Sequence, residues 1–390
     1  MTAATLDLDG AGERCWDVVV IGAGPAGALA ARQVAAGRSR VLLLDRKTFP
    51  RPKVCGACLN GTALAVLGSV GLGDLVDRLG GIDLERLDVG LAGRLARFPL
   101  PAGKALAREV FDAALVDEAL AAGADFLPAT TATVEPGGEP ARTVQLDRQG
   151  QRRSVEASVV VVAAGLAGSC LEHEPRMLTR VAAGSRVGAG CTVAAYPSVY
   201  GEGTIYMAVG RSGYVGLVRV GGELLNIAAA FDRNFVRASG GPEAAAAAVL
   251  DEAGFTPVPA LADAPWQGTV GLTRQTRPVA SHRLFLVGDA AGYVEPFTGE
   301  GMGAALTSAR AVAPLALRGV SAWDASLVAA WKRQHYRLVG RHQLICRGLA
   351  VAARHPWVAR GVFGLATWSP AISGELIRRV NEPHVLIEAR

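Results

Sequence analysis

The sequence predicts an α/β fold: a Rossmann-like dinucleotide-binding domain, an antiparallel β-sheet domain inserted into it, and a C-terminal helical region. Three observations lead there. First, Val18-Val19-Val20-Ile21 has the pattern of a buried parallel strand. It breaks into Gly22-Ala23-Gly24-Pro25-Ala26-Gly27 and then into an alanine-rich helix over 26–36. Second, two more apolar runs end in glycine far along the chain, at 158–165 and 284–288. Third, residues 189–231 between them read as antiparallel strands, with hairpin turns at Arg211-Ser212-Gly213 and Gly221-Gly222.

Each glycine of the first turn has a mechanical task. Gly22 permits the tight turn, Gly24 brings the backbone close to a pyrophosphate, and Gly27 lets the helix pack on the strand. Pro25 and Ala26 open that helix, whose unpaired N–H groups and positive dipole end face the phosphates. A second strand over 40–44 runs into Asp45 and Arg46. Asp45 lies 23 residues past Gly22, close to the ~20 expected of a carboxylate that holds a ribose.

A loop over 46–60 follows, rich in proline and cation and holding Cys55 and Cys58; then comes a helical stretch over 61–79, interrupted by Gly71 and Gly73. Two short strands are expected at 87–91 and 94–100, an amphipathic helix at 107–122 stopped by Gly123, and a parallel strand at 124–127. Strands at 130–134, 142–147 and 152–157 form a small meander, and 158–165 is a separate buried strand. Pro242 starts a helix that reaches Ala253. After the strand 284–287, helices are expected at 301–317, where Pro314 kinks or ends the first, and at 321–352. The domains are therefore discontinuous. Residues 15–85, 102–182 and 270–320 form the dinucleotide domain, 86–101 and 183–269 the inserted sheet, and 321–390 the helical region.

Composition narrows the function classes. Half of the 390 residues are hydrophobic and 19% are charged, as in a globular chain. The net charge is only +5, without a dense Lys/Arg block interleaved with aromatics, so nucleic acid is not an expected partner. The N-terminus carries acids and no apolar core of a secretory signal, and no apolar run is long enough to span a membrane. Six cysteines in so long a chain are not a disulfide framework, and no paired spacing of metal ligands stands out; the expectation is a cytoplasmic, metal-free protein.

A second motif joins the first late in the chain. Gly288-Asp289-Ala290-Ala291-Gly292-Tyr293-Val294-Glu295-Pro296-Phe297-Thr298-Gly299-Glu300-Gly301-Met302 places an acid and a glycine-rich loop between a strand and a helix N-terminus. Such a terminus stabilises negative charge on a ligand. This pair of motifs resembles the para-hydroxybenzoate-hydroxylase-type flavoproteins. Phe49-Pro50-Arg51-Pro52-Lys53-Val54-Cys55-Gly56 is similar to a stretch of their geranylgeranyl reductase-like branch.

The resemblance implies FAD, with Gly22, Gly24, Pro25, Ala26 and Gly27 at the pyrophosphate and Asp45 and Arg46 at the adenosine end. It implies Arg108 near the cofactor, Gly288 and Asp289 at the ribityl–pyrophosphate region, and Pro296, Gly299, Gly301 and Met302 along the flavin ring. It further implies reduction of C=C bonds in a small apolar, isoprenoid or lipid-like substrate, with NAD(P)H or another reductant as donor. A monooxygenase acting on an aromatic or polyketide-like substrate is the alternative, and a redox-partner protein a third. One departure bears on the choice. Where relatives often carry an acid after the fourth strand, this chain has Ala163-Ala164-Gly165-Leu166.

Cys55 is the candidate catalytic residue, since the resemblance puts it against the flavin. A reactive thiol needs access and nearby positive charge, and Arg51 and Lys53 supply the latter. Cys55 and Cys58 also form a CxxC, a candidate dithiol outside any thioredoxin-like context. Tyr196, Tyr206, Tyr214, Phe231 and Trp266 are expected in the inserted sheet, as core or cavity lining, and His282 as a surface cap. The tail over 344–368 mixes arginines with Leu, Val, Phe and Trp; it reads either as a packed helix or as a peripheral membrane contact.

Overall fold

The computed structural model describes residues 3–166, 168–295 and 299–341, and besides these positions 343, 348 and 361. Its centre is a sheet whose main path runs Ala280–Ser281, Leu284–Leu286, Gln151–Val162, Cys15–Ile21, Val41–Leu44, Asp125–Leu127. The strand Cys15–Ile21 pairs in parallel with both neighbours, Val18 opposite Val159 on one side and Val41 on the other. Parallel strands need both faces covered. The helices Pro25–Ala36, Arg108–Ala121 and Gly301–Ser321 cover one face through Leu29, Phe111, Leu115, Leu306 and Val312. The short helix Leu8–Gly12 and the meander Thr131–Val134, Arg142–Arg148 cover the other through Leu8, Val134, Val144 and Leu146.

Several expectations shift. The meander's third strand and the buried strand after it are one strand, Gln151–Val162, antiparallel to Arg142–Arg148 over its first half and parallel to Cys15–Ile21 further along. Gly71 and Gly73 divide the expected helix 61–79 into Gly61–Ser69 and Leu75–Arg78. Pro314 does not end its helix, which continues to Ser321. Its ring is exposed, so the carbonyl it orphans faces water while the buried face holds the helix together. The last described helix spans Ser326–His335 and passes into a wider turn at Tyr336–Gly340. The tail over 344–368 lies, but for Gly348 and Gly361, outside the described residues.

The second sheet has seven strands, ordered Gln267–Gly271, Val187–Val193, Leu224–Phe231, Gly213–Val220, Thr204–Gly210, Arg86–Leu91, Arg94–Pro99. Its outer face packs on the helix Pro242–Ala253 through Cys191, Tyr206, Leu217, Ile227 and Phe231. Its inner face meets the first domain at two places. Tyr214 and Ala230 pack with Leu166, Leu272 and Tyr293. Val218 and Val220 pack with Ala57, Leu84 and Ala105. A small sheet of Cys58–Asn60, Gly103–Ala105 and Ile82–Asp83 supports the second contact.

Candidate functional site

The first turn is built as its glycines dictate. Gly22 has φ +103, and a Cβ there would lie 2.4 Å from the Ala163 carbonyl oxygen. A Cβ on Gly27 would fall 1.7 Å from the Gly22 carbonyl oxygen, so helix and strand approach too closely for any side chain. Gly24 differs: its backbone is extended, at φ −74 and ψ −176, and any residue could adopt it. What its missing Cβ leaves is space facing two guanidiniums, Arg51 Nη2 at 3.6 Å and Arg108 Nη2 at 4.0 Å. Pro25 begins the helix just behind, and no side chain caps its N-terminus. An anion in that space would meet free backbone N–H groups, the helix dipole and two arginines.

The arginines are held by carboxylates. Asp112, wholly buried, accepts from Arg108 Nε at 2.8 Å and Nη2 at 2.9 Å, and its Oδ2 lies 3.6 Å from Arg51 Nη1. Asp45 accepts from the Ala23 amide at 2.9 Å, the Lys47 amide at 2.9 Å and Arg51 Nη2 at 3.3 Å. Asp45 thus ties the glycine turn to Arg51, and a ribose contact would share the same oxygens. Arg46, beside it, is exposed. Arg51 stacks on Phe49, 4.9 Å from the ring centroid, and its buried Nε has no hydrogen-bond partner among the described residues. That orphaned donor, the open face of Gly24 and the paired cations fit the pyrophosphate of FAD.

The late motif lies against the early one. Gly288, at φ +57, leaves only 2.9 Å between a notional Cβ and Ala26 Cβ, and its amide donates to Ser308 Oγ at 2.9 Å. Burial pushes the Asp289 carboxyl up, against the pull of Lys53 and Arg108. Lys53 is lowered by burial and by the charges of Arg51 and Arg108, with Asp289 opposing. Its Nζ would be 3.7 Å from a Cβ on Gly165. Gly301 starts the helix Gly301–Ser321 next to the Tyr293 ring, while the Met302 side chain points into the core, leaving only its backbone for a ligand. Burial raises the Tyr293 hydroxyl well above its ordinary range, helped by Asp289, Tyr214 and Cys55. Gly299 is described, with φ +74; Pro296 lies outside the described residues.

Cys55 sits between the two domains. Asn226 Nδ2 of the second sheet donates to its carbonyl at 2.9 Å, and Val54 faces Gly190. Cys58 donates to the Gly56 carbonyl at 3.0 Å, and burial, helped by Cys55, pushes its thiol up. That is the reverse of what a redox CxxC requires. Among the described residues no three His, Cys, Asp or Glu side chains are grouped to hold a metal.

Sequence reading put Arg108, Asp289 and Cys55 at the cofactor but missed Asp112, which holds Arg108 and Arg51. Asp112 is one helical turn from Arg108, and that i,i+4 spacing was the available signal. Tyr293 carried no such signal. Of the five sheet aromatics, Tyr214 faces the first domain, whereas Tyr206, Phe231, Tyr196 and Trp266 belong to the outer core. His282 accepts from Trp323 Nε1 at 3.0 Å and lies 2.9 Å from the exposed Glu139.

Comparison with known proteins finds relatives of this chain. A family model described as an FAD binding domain matches residues 15–183. The digeranylgeranylglycerophospholipid reductase 1 of Methanopyrus kandleri is 30% identical over 339 residues, covering 80% of this chain and 83% of its own. Its counterpart in Methanothermobacter thermautotrophicus is 26% identical over 349 residues, with 85% and 82% covered. Among solved structures, the flavin-dependent brominase Bmp2 aligns with a TM-score of 0.76 at 18% identity, over 94% of both chains. At that identity the likeness is one of fold.

Proposed function

The chain belongs to the geranylgeranyl reductase-like branch of the FAD-dependent oxidoreductases, and from that premise we propose that it saturates C=C bonds of a linear, apolar, isoprenoid-like substrate. The observation that carries this reading is a trough across the inner face of the seven-stranded sheet. Register aligns Gly190 with Ala228, Ala228 with Gly216, and Gly216 with Met207 on four adjacent strands. The next row on one side holds Ala230, Tyr214 and Val209; on the other stand Asn226, Val218 and Ile205. The small residues Gly190, Ala228 and Gly216 therefore lie lower than Tyr214 and Val218 beside them, and the Met207 side chain closes the row at one end. At 4.7–4.9 Å per strand these three small residues span roughly 10 Å. The Gly190 end of the trough lies under Val54, and Tyr214 in its wall packs with Tyr293.

Saturating such a bond adds a hydride to one carbon and a proton to the other, using two electrons. FAD, when bound, supplies the hydride through N5, and NAD(P)H or another reductant restores it. The chain's own residues do the rest. Arg51 and Arg108 bind the phosphates, the helix at Gly301 favours negative charge on the ring, and Leu166 with Leu272 keeps water from the trough. Cys55, whose carbonyl accepts from Asn226 in the trough wall, is the candidate proton donor. The lack of an acid in Ala163-Ala164-Gly165-Leu166, where Gly165 stands at the acid's place, favours the reductase reading.

The test supplies FAD-loaded, chemically reduced protein with a polyprenyl substrate and follows product mass. We expect two hydrogens gained per bond and no oxygen. A Cβ on Gly216 would meet Met207 Cε at 3.5 Å and the Ala228 carbonyl at 3.6 Å, ordinary contacts, so Gly216→Ala is accommodated. Gly216→Leu fills the trough and lowers turnover on the order of a hundredfold, the scale of a misplaced reacting group, with FAD affinity unchanged. One oxygen atom per product, or full activity in Gly216→Leu, overturns the reading.

A further inference from the structure

The helix Ser326–His335 and the wider turn after it have two unlike sides. Leu327, Trp331, His335 and Val339 are buried at four-residue spacing, and Leu327 and Trp331 join the core of the first domain. The opposite side is exposed and carries Lys332, Arg333, Tyr336, Arg337 and Arg341. Tyr336 leaves 54% of its surface in water. Among the described residues no carboxylate pairs with any of these four cations. The sequence supplies none nearby: between Asp324 and Glu375 it holds seven Lys or Arg and no Asp or Glu. Asp324 itself is engaged at the start of the helix, where it accepts from the Ser326 amide at 2.6 Å.

We propose that this face docks the protein on an anionic membrane surface. Charge selects the occupant. Four unpaired cations on one side of a helix match the phosphates of an acidic leaflet. A tyrosine among them suits the headgroup layer, with its ring toward the apolar side and its hydroxyl toward water. A second copy of the chain on the same face would set cation against cation, which is unfavourable. The chain leads from this face to the candidate site. Two residues past Arg341, Gln343 Nε2 donates at 2.9 Å to the carbonyl of Gly292, in the short strand that carries Tyr293. Docking therefore keeps the Tyr293 side of the site close to the bilayer and shortens the path of an apolar substrate through water. The inference rests on charge and goes beyond the alkene chemistry, so vesicle binding and turnover fail separately.

The test is co-sedimentation of the full-length, FAD-loaded protein with phosphatidylcholine vesicles, with and without phosphatidylglycerol. We expect binding only where phosphatidylglycerol is present, and release when salt shortens the screening length to ~3 Å. Each cation near such a surface contributes about fivefold, so the double variant Lys332→Gln, Arg337→Gln should bind roughly 25-fold more weakly. Arg233→Gln with Arg237→Gln is the control. It removes the same charge from the exposed side of the helix Arg233–Ser239, in the second domain, and should bind as wild type does. All four side chains are exposed, so both variants should melt with wild type. Equal loss in the two double variants would mean that net charge alone attracts the vesicles, and overturns the proposal. Equal binding to vesicles without phosphatidylglycerol overturns it too. So does absence of binding to either kind, which leaves an acidic protein as the occupant of this face.

Discussion

Two neighbouring glycines of the same turn should fail in opposite ways when given a methyl group. At Gly27 the new Cβ would stand 1.7 Å from the Gly22 carbonyl oxygen and 2.9 Å from its carbon, both backbone atoms. The helix Pro25–Ala36 would have to move by more than an ångström off a strand buried on both sides. Overpacking of that kind costs at least ~3 kcal/mol, which for a domain of this size lowers Tm by roughly 5–10 °C. At Gly24 the nearest atoms are side-chain nitrogens at 3.6 and 4.0 Å, and φ and ψ suit any residue. Alanine there costs the fold only what a poorer N-cap costs, about 0.5–1 kcal/mol. Yet its methyl stands where the phosphate oxygens approach the helix.

Losing one or two charge-assisted hydrogen bonds to phosphate weakens FAD by roughly tenfold to a few hundredfold. The assay is a pair of measurements on FAD-free protein: thermal melting, and titration with FAD followed by flavin fluorescence. Gly24→Ala should melt within ~3 °C of wild type and bind FAD weakly; Gly27→Ala should melt early or fail to fold. Wild-type FAD affinity in Gly24→Ala, or a wild-type melt in Gly27→Ala, would refute the assignment of separate tasks.

These glycines were legible because their signal is local: a strand, a turn and a helix within twenty residues. So were the helix Arg108–Ala121 and the strands of the second sheet other than Gln267–Gly271, whose periodicity is complete within each segment. The small sheet behind Cys55 was not. Its strands are two or three residues long, and each exists only because Gly103–Ala105 pairs with both Cys58–Asn60 and Ile82–Asp83. Gln151–Val162 was split in two because its outer half is solvated while its inner half is buried on both faces, two patterns in one strand. The helix Leu8–Gly12 escaped notice in a polar stretch, though Asp7 caps it at Gly10. The trough shows the limit most clearly. Gly190, Ala228, Gly216 and Met207 are unremarkable in their own strands, and only the register lines them up.

Two further perturbations test how the site is held. Arg186 pairs with the buried Glu295 at 3.0 Å and with Asp232 at 3.2 Å, so it joins the second sheet to the loop behind Tyr293. Arg186→Met should lose ~3 kcal/mol in denaturant unfolding, since it removes one partner of a buried pair; a change under ~0.5 kcal/mol would show that the pair does not hold the domains. His335 concerns the helical side of the first domain. It is buried against Trp331, with Nε2 unpartnered among the described residues, and burial lowers its pKa from 6.5 to about 4. Because the folded pKa is the lower, an unfolded chain takes up a proton below pH 6.5 that the folded chain refuses. The stabilisation is therefore complete above pH 6.5 and lost as the pH falls toward 4, by up to roughly 3 kcal/mol. His335→Leu removes the titrating group but keeps the apolar contact, so its unfolding free energy should fall less steeply between pH 6.5 and 4 than that of wild type. Equal slopes in the two proteins would mean that the imidazole is hydrated in the folded state, and that the helix Ser326–His335 does not seal this edge of the core.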